Sequence, residues 1–148
     1  MSQLEKHSPA IVLCTLNAKY IHASLGLRYL MANMARHGSQ DLAQQTALTE
    51  FTLARPTQDM AHELLNQLGP ELPERPQIIG FGVYIWNVIQ TTALVKALKA
   101  QRPRITIVLG GPEVSHETDS QEIVQLSDFV ISGWGDVSFP KLCLALLH

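Results

Sequence analysis

The chain has 148 residues, 46% hydrophobic and 16% charged, with a formal net charge of -2. That length suits one domain able to bury about 68–70% of its unfolded surface, so no disulfide or metal staple is needed. Two cysteines, Cys14 and Cys143, exclude a disulfide framework and cannot alone build a four-cysteine zinc or iron–sulfur site. The balance of 11 basic and 13 acidic residues argues against a generic nucleic-acid surface. No apolar run nears the ~20 residues of a membrane span, and the N-terminus lacks a signal-peptide core. The expectation is one cytoplasmic globular domain spanning residues 1–148.

Ile11 to Leu16 (IVLCTL) is a continuous run of strand formers, as in a strand buried on both faces. Polar residues 17–22 follow, then Ala23, Leu27, Leu30, Met31 and Met34 recur at helical spacing, with Gly38 as the stop. Thr46 to Leu53 is β-prone but mixes polar with apolar residues, which predicts an edge strand. Pro56 opens a helix with the apolar stripe Ala61, Leu64, Leu65 and Leu68, ended by Gly69-Pro70. Gly69 to Pro76 is a loop.

Gln77 to Ile85 (QIIGFGVYI) is the third strand, and its glycines at 80 and 82 permit close backbone or ligand approach. Asn87 and Gln90 resemble a capping box for a helix packed through Leu94, Ala97 and Leu98, which stops before Pro103. Ile105 to Leu109 is the fourth strand and runs into Gly110-Gly111-Pro112. A helix over Glu117 to Leu126 precedes the fifth strand, Phe129-Val130-Ile131. Gly133-Trp134-Gly135 turns the chain into a last helix with the stripe Phe139, Leu142, Cys143 and Leu146.

Strands alternating with helices imply a three-layer, doubly wound parallel sheet with right-handed crossovers. The flavodoxin-like (Rossmann-like) order 2-1-3-4-5 puts the wet second strand at an edge. Ligands in such sheets bind beyond the carboxyl ends of the strands, near the switch point between strands 1 and 3. The loops there are rich in glycine and poor in catalytic sets: no Ser-His-Asp or Cys-His arrangement is evident. A P-loop is absent, and Gly80-Phe81-Gly82 lies inside a strand with Ile85 at the third glycine's place, so no dinucleotide fingerprint exists. A phospho-receiver is excluded because Asn17 and Asn87 stand where its acids would be.

Three segments together resemble a known family. They are Leu16 to Leu30 (LNAKYIHASLGLRYL), Gly80 to Asn87 (GFGVYIWN) and Val108 to Ser115 (VLGGPEVS). The family is the cobalamin (vitamin B12)-binding-type N-terminal domain of bacterial radical S-adenosylmethionine (SAM) proteins. The resemblance implies a Rossmann-like cobalamin-binding fold followed by a C-terminal radical SAM barrel. That barrel's CxxxCxxC motif would hold the [4Fe–4S] cluster and S-adenosylmethionine. This sequence has no such motif, so the chain reads as one domain of a longer enzyme and as inactive in radical chemistry by itself. Strand 1 runs into Asn17-Ala18-Lys19 rather than Asp-x-His-x-x-Gly, so the histidine ligand of many cobalamin domains is missing. Gly133-Trp134-Gly135-Asp136 keeps the glycines and one acid of the Gly-Glu-Gly-Glu found in related fifth-strand loops.

The residues singled out for the cofactor are Asn17, His22, Tyr84, Trp86, Gly110, Gly111, Glu113, Ser115, Gly133 and Gly135. No residue is assigned to catalysis or to a protein-held metal. His22 either approaches the corrin or caps the following helix. Gly110 and Gly111 either admit the cofactor or make an ordinary strand-to-helix turn. Glu113 and Ser115 bond cofactor amides or cap a helix. Tyr84 and Trp86 are expected on opposite faces, one lining a pocket and one packing in the core. Both cysteines are inert core. Two other classes remain open: a degenerate, non-binding platform for the catalytic barrel, and a cleft for a nucleotide or other small molecule.

Overall fold

The computed structural model describes residues 8–18, 25–114, 121–132 and 135–148. Its strands are β1 (Ile11–Asn17), β2 (Thr46–Thr52), β3 (Ile78–Gly82), β4 (Thr106–Gly110) and β5 (Phe129–Val130). All pair in parallel in the order β2-β1-β3-β4-β5, the flavodoxin-like arrangement. The helices are α1 (Leu25–His37), α2 (Gln40–Gln44), α3 (Thr57–Leu68), α4 (Val88–Gln101), α5 (Glu122–Leu126) and α6 (Gly135–Leu147), with a 3-10 turn at Pro112–Val114.

Alternation along β1 divides the apolar residues into two layers. Val12, Cys14 and Leu16 face Met60, Leu64 and Leu68 of α3 and Leu94 and Leu98 of α4. Ile11 and Leu13 face the other way, toward Leu27 and Met34 of α1, Leu42 of α2, and Phe139 and Cys143 of α6. Every residue from Ile11 to Leu16 is buried, which is why this strand reads as an uninterrupted apolar run rather than an alternating one. β2 has one neighbour, β1, and its middle residues are half-exposed, so it is an edge strand. The Arg28–Glu50 pair, 3.2 Å apart, ties α1 to it.

At the amino end of the sheet the buried Gln77 amide donates to the carbonyls of Leu68, Gly69 and Pro70 at 3.1–3.3 Å. Arg102 donates to Gly69 O and to Gln77 Oε1, both at 2.7 Å. These bonds satisfy the loop that ends α3 and leave the opposite, carboxyl end of the sheet to the site.

Four expectations need correction. β3 ends at Gly82 rather than Ile85, because Val83 leaves the strand and Tyr84–Asn87 forms a hydrogen-bonded turn. Asn87 does not cap α4 with its side chain; its amide is turned inward, toward β1 and β3. The short α2, unforeseen between Gly38 and Thr46, starts where Ser39 Oγ accepts from Leu42 N at 3.0 Å, an N-cap that satisfies one orphan donor. The fifth helix covers Glu122–Leu126, with Gln121 as its extended cap, and residues 117–120 of its expected span lie outside the described residues.

Candidate functional site: a glycine-floored cleft at the carboxyl ends

On the α1/α6 face of the sheet the apolar side chains stop before the strands do. Ile78 and Val108 fill this face lower down. On the same face Gly80 of β3 stands level with Val108, and beyond them Gly82 and Gly110 are paired in register. The missing side chains leave a cleft of about 580 Å³, within the usual range for small-molecule sites. Its lining includes Leu27 and Tyr29 of α1, Tyr84, Gly111, and Asp136 and Phe139 of α6.

The three glycines are used differently. A Cβ at Gly80 would lie 2.9 Å from Phe139 Cζ and 3.2 Å from Leu13 Cδ2, so this glycine lets an aromatic ring rest on the sheet as the cleft's floor. A Cβ at Gly82 would touch Tyr84, Thr15 and Leu27 at ordinary distances. At Gly110 a Cβ would meet nothing within 4 Å, and the space beside it is open for a ligand. Gly111 serves the backbone: its φ is +110°, and a Cβ would collide with the Val83 carbonyl and sit 2.9 Å from Val83 N.

Asn87 organises the mouth of the cleft. Its side chain is fully buried, and its Oδ1 accepts from Tyr84 N at 2.8 Å. Its Nδ2 donates to Leu16 O at 3.0 Å and Gly82 O at 3.2 Å, and approaches Thr15 Oγ1 at 3.4 Å. Thr15 Oγ1 itself donates to Gly82 O at 3.2 Å. One amide thus ties the carboxyl ends of β1 and β3, the topological switch point, to the turn carrying the aromatic residues.

Tyr84 and Trp86 do not diverge to opposite faces. Their rings stack with centroids 4.6 Å apart and planes within 5°. Tyr84 lines the cleft and crosses toward α1, its hydroxyl 3.4 Å from where a Gly26 Cβ would be. Trp86 backs it and is 51% exposed, beside the exposed Ile85 and Ile89. Neither ring is core; residues two apart share a face even on a continuing strand, so alternation gave no ground for sending them to opposite sides.

Of the residues singled out in the sequence, Tyr84, Gly110, Gly111 and Gly135 line the cleft. Trp86 reaches it only through Tyr84. Asn17 ends β1, where its carbonyl accepts from Leu53 N at 2.9 Å, and Glu113 sits in the 3-10 turn with its carbonyl accepting from Gln121 Nε2 at 2.9 Å. His22, Ser115 and Gly133 lie outside the described residues. Phe139 and Asp136 enter the cleft without having been singled out for it. A helical stripe marks Phe139 as buried but cannot show that it rests on a strand glycine.

Among the described residues no group of three His, Cys, Asp or Glu is placed to hold a metal ion. Burial pushes the Cys143 thiol up to about 12. Cys14 is pushed higher, by burial first and then by the negative charges of Glu63 and Glu50. Thiols held so firmly neutral are poor nucleophiles and poor ligands. No helix among the described residues is long and apolar enough to cross a membrane.

A doubly wound sheet with a preformed cleft beside its switch point defines a small-ligand-binding α/β domain. The family model of the B12 binding domain matches residues 11–143, and the chain belongs to that family, the cobalamin-binding domains. No curated protein matches it. The cleft, smaller than a whole corrinoid, fits part of such a ligand through the open cradle at Gly110 and a largely apolar lining.

Proposed function

We propose that this domain holds cobalamin at the carboxyl-end loops for a radical SAM enzyme, with the corrin across the mouth and the nucleotide tail toward Gly110. The observation that carries this reading is the open space at Gly110, framed by Tyr84, Gly82 and Phe139. Bound cobalamin would supply cobalt-centred group transfer. The chain's own part is to shape the cleft, exclude water with Leu27, Tyr84 and Phe139, and orient the ligand against the β3 and β4 ends. No Asp-x-His-x-x-Gly run follows β1, so the proposal assigns no histidine to the lower face of cobalt.

The exposed rim of Ile85 (76%), Trp86 and Ile89 (79%) supports a covering partner at this end, which we assign to a C-terminal radical SAM barrel of the same cytoplasmic protein. The [4Fe–4S] cluster and S-adenosylmethionine would belong to that barrel. A preformed cleft weighs against a degenerate, ligand-free platform. A free nucleotide with several phosphate charges is disfavoured because no lysine or arginine among the described residues lines the cleft.

Titration with hydroxocobalamin tests the proposal. Binding heat and a shift of the corrin absorbance bands at micromolar concentration are expected. Neither signal at a hundredfold higher concentration would overturn binding by this domain.

A further inference from the structure

Among the described residues that line the cleft, Asp136 is the one acidic or basic side chain; the others are apolar, glycine or tyrosine. It lies in the first turn of α6 and is partly buried. No hydrogen bond or ion pair joins its carboxylate to any described residue. A carboxylate at neutral pH only accepts hydrogen bonds. Beside it, Pro140 stands four residues further along the same helix and has no N–H to give the Asp136 carbonyl. The Asp136 carboxylate therefore brings acceptors to the cleft wall without a matching donor among the described residues.

We propose that Asp136 is a specificity-determining residue of the cleft, its carboxylate accepting hydrogen bonds from O–H or N–H groups of the bound molecule. The inference rests on the cobalamin reading and deepens it. Two parts of cobalamin offer such donors: the ribose hydroxyl of the nucleotide tail and the primary amides on the corrin rim. Partial burial strengthens the bond, because a charge-assisted hydrogen bond gains as water is excluded. A purely structural role also exists, since an acid in the first turn opposes the positive end of the helix dipole. That role predicts a change in stability and none in affinity.

The test measures binding of hydroxocobalamin and of dicyanocobinamide, which lacks the tail, by calorimetry and absorbance. Wild type, Asp136→Ala and Asp136→Asn are compared, with thermal unfolding as the folding control. Asp136→Ala is expected to bind cobalamin about ten- to a hundredfold more weakly, and Asp136→Asn, which keeps one acceptor, to lose less. A loss confined to cobalamin places the donor on the tail; an equal loss for both places it on the corrin amides. Either supports the proposal. Affinities within twofold of wild type for both corrinoids, in a folded variant, would overturn it and leave the cobalamin reading intact. A wild-type chain that binds neither corrinoid removes that parent reading and this proposal together.

Discussion

Tyr84 and Asn87 are bonded to each other in both directions: Tyr84 N–H donates to Asn87 Oδ1 at 2.8 Å, and Asn87 N–H donates to Tyr84 O at 3.0 Å. The turn is closed on itself, and the spare Nδ2 protons reach across to β1 and β3. Replacing Asn87 by Ala leaves the Leu16 carbonyl without this donor in a dry site, at a cost of about 1–3 kcal/mol. Asn87→Asp should cost at least as much, because a carboxylate oxygen would face two carbonyl oxygens. Urea unfolding checks both, and near-UV circular dichroism of the Tyr84–Trp86 stack should weaken in the folded remainder.

Gly110 and Gly111 should separate binding from folding. Gly110→Val places its side chain in open space at a residue without positive φ, so stability should stay within about 0.5 kcal/mol while corrinoid affinity falls at least tenfold. Gly111→Ala faces the opposite situation, a left-handed φ and a collision with Val83, and should lose about 1–3 kcal/mol or more. Calorimetry and denaturant unfolding, run on both variants, read the two effects independently.

The Gly80–Phe139 contact predicts compensation. Gly80→Ala pushes a methyl against the ring and should cost about 1–3 kcal/mol. Phe139→Leu relieves that crowding, so the double variant should be more stable than the sum of the single losses allows. A double-mutant cycle showing additivity within about 0.3 kcal/mol would refute the direct contact.

The cysteines set an alkaline limit. Both thiols ionise more readily in the unfolded chain, near the ordinary value of 9.0, than in the fold, where Cys143 is pushed up to about 12 and Cys14 beyond it. Above pH 9 the unfolded state therefore binds fewer protons than the native state, and stability falls as pH rises. Their contribution is intact below about pH 9 and is lost progressively toward pH 12. Replacing both cysteines by Ala should flatten that slope in unfolding experiments, while neither native thiol should react with iodoacetamide at pH 8.

The strands were legible because their burial is nearly continuous: IVLCTL and ITIVL are each interrupted by a single β-branched threonine, and in a parallel sheet covered on both faces that pattern has few other meanings. The strand order followed from the wetness of TALTEFT. What escaped depended on contacts between distant residues. QIIGFGVYI reads as one long strand until the buried Asn87 amide ends it at Gly82, and no local propensity announces that bond. The glycines at 80, 82 and 110 showed where the backbone lies bare, yet their separate uses required knowing that Phe139 fills one space, Tyr84 borders another and nothing fills the third.

The division of β1 between two layers also has an evolutionary reading. Val12, Cys14 and Leu16 anchor a closed layer with α3 and α4, while the strand glycines of the cleft, Gly80, Gly82 and Gly110, belong to the other face. Substitutions in the α1/α6 layer would reshape the cleft while the sheet screens the opposite layer from the change. The sheet is thus a partition between inheritance and innovation, with Asn87 as one of the few residues answerable to both sides.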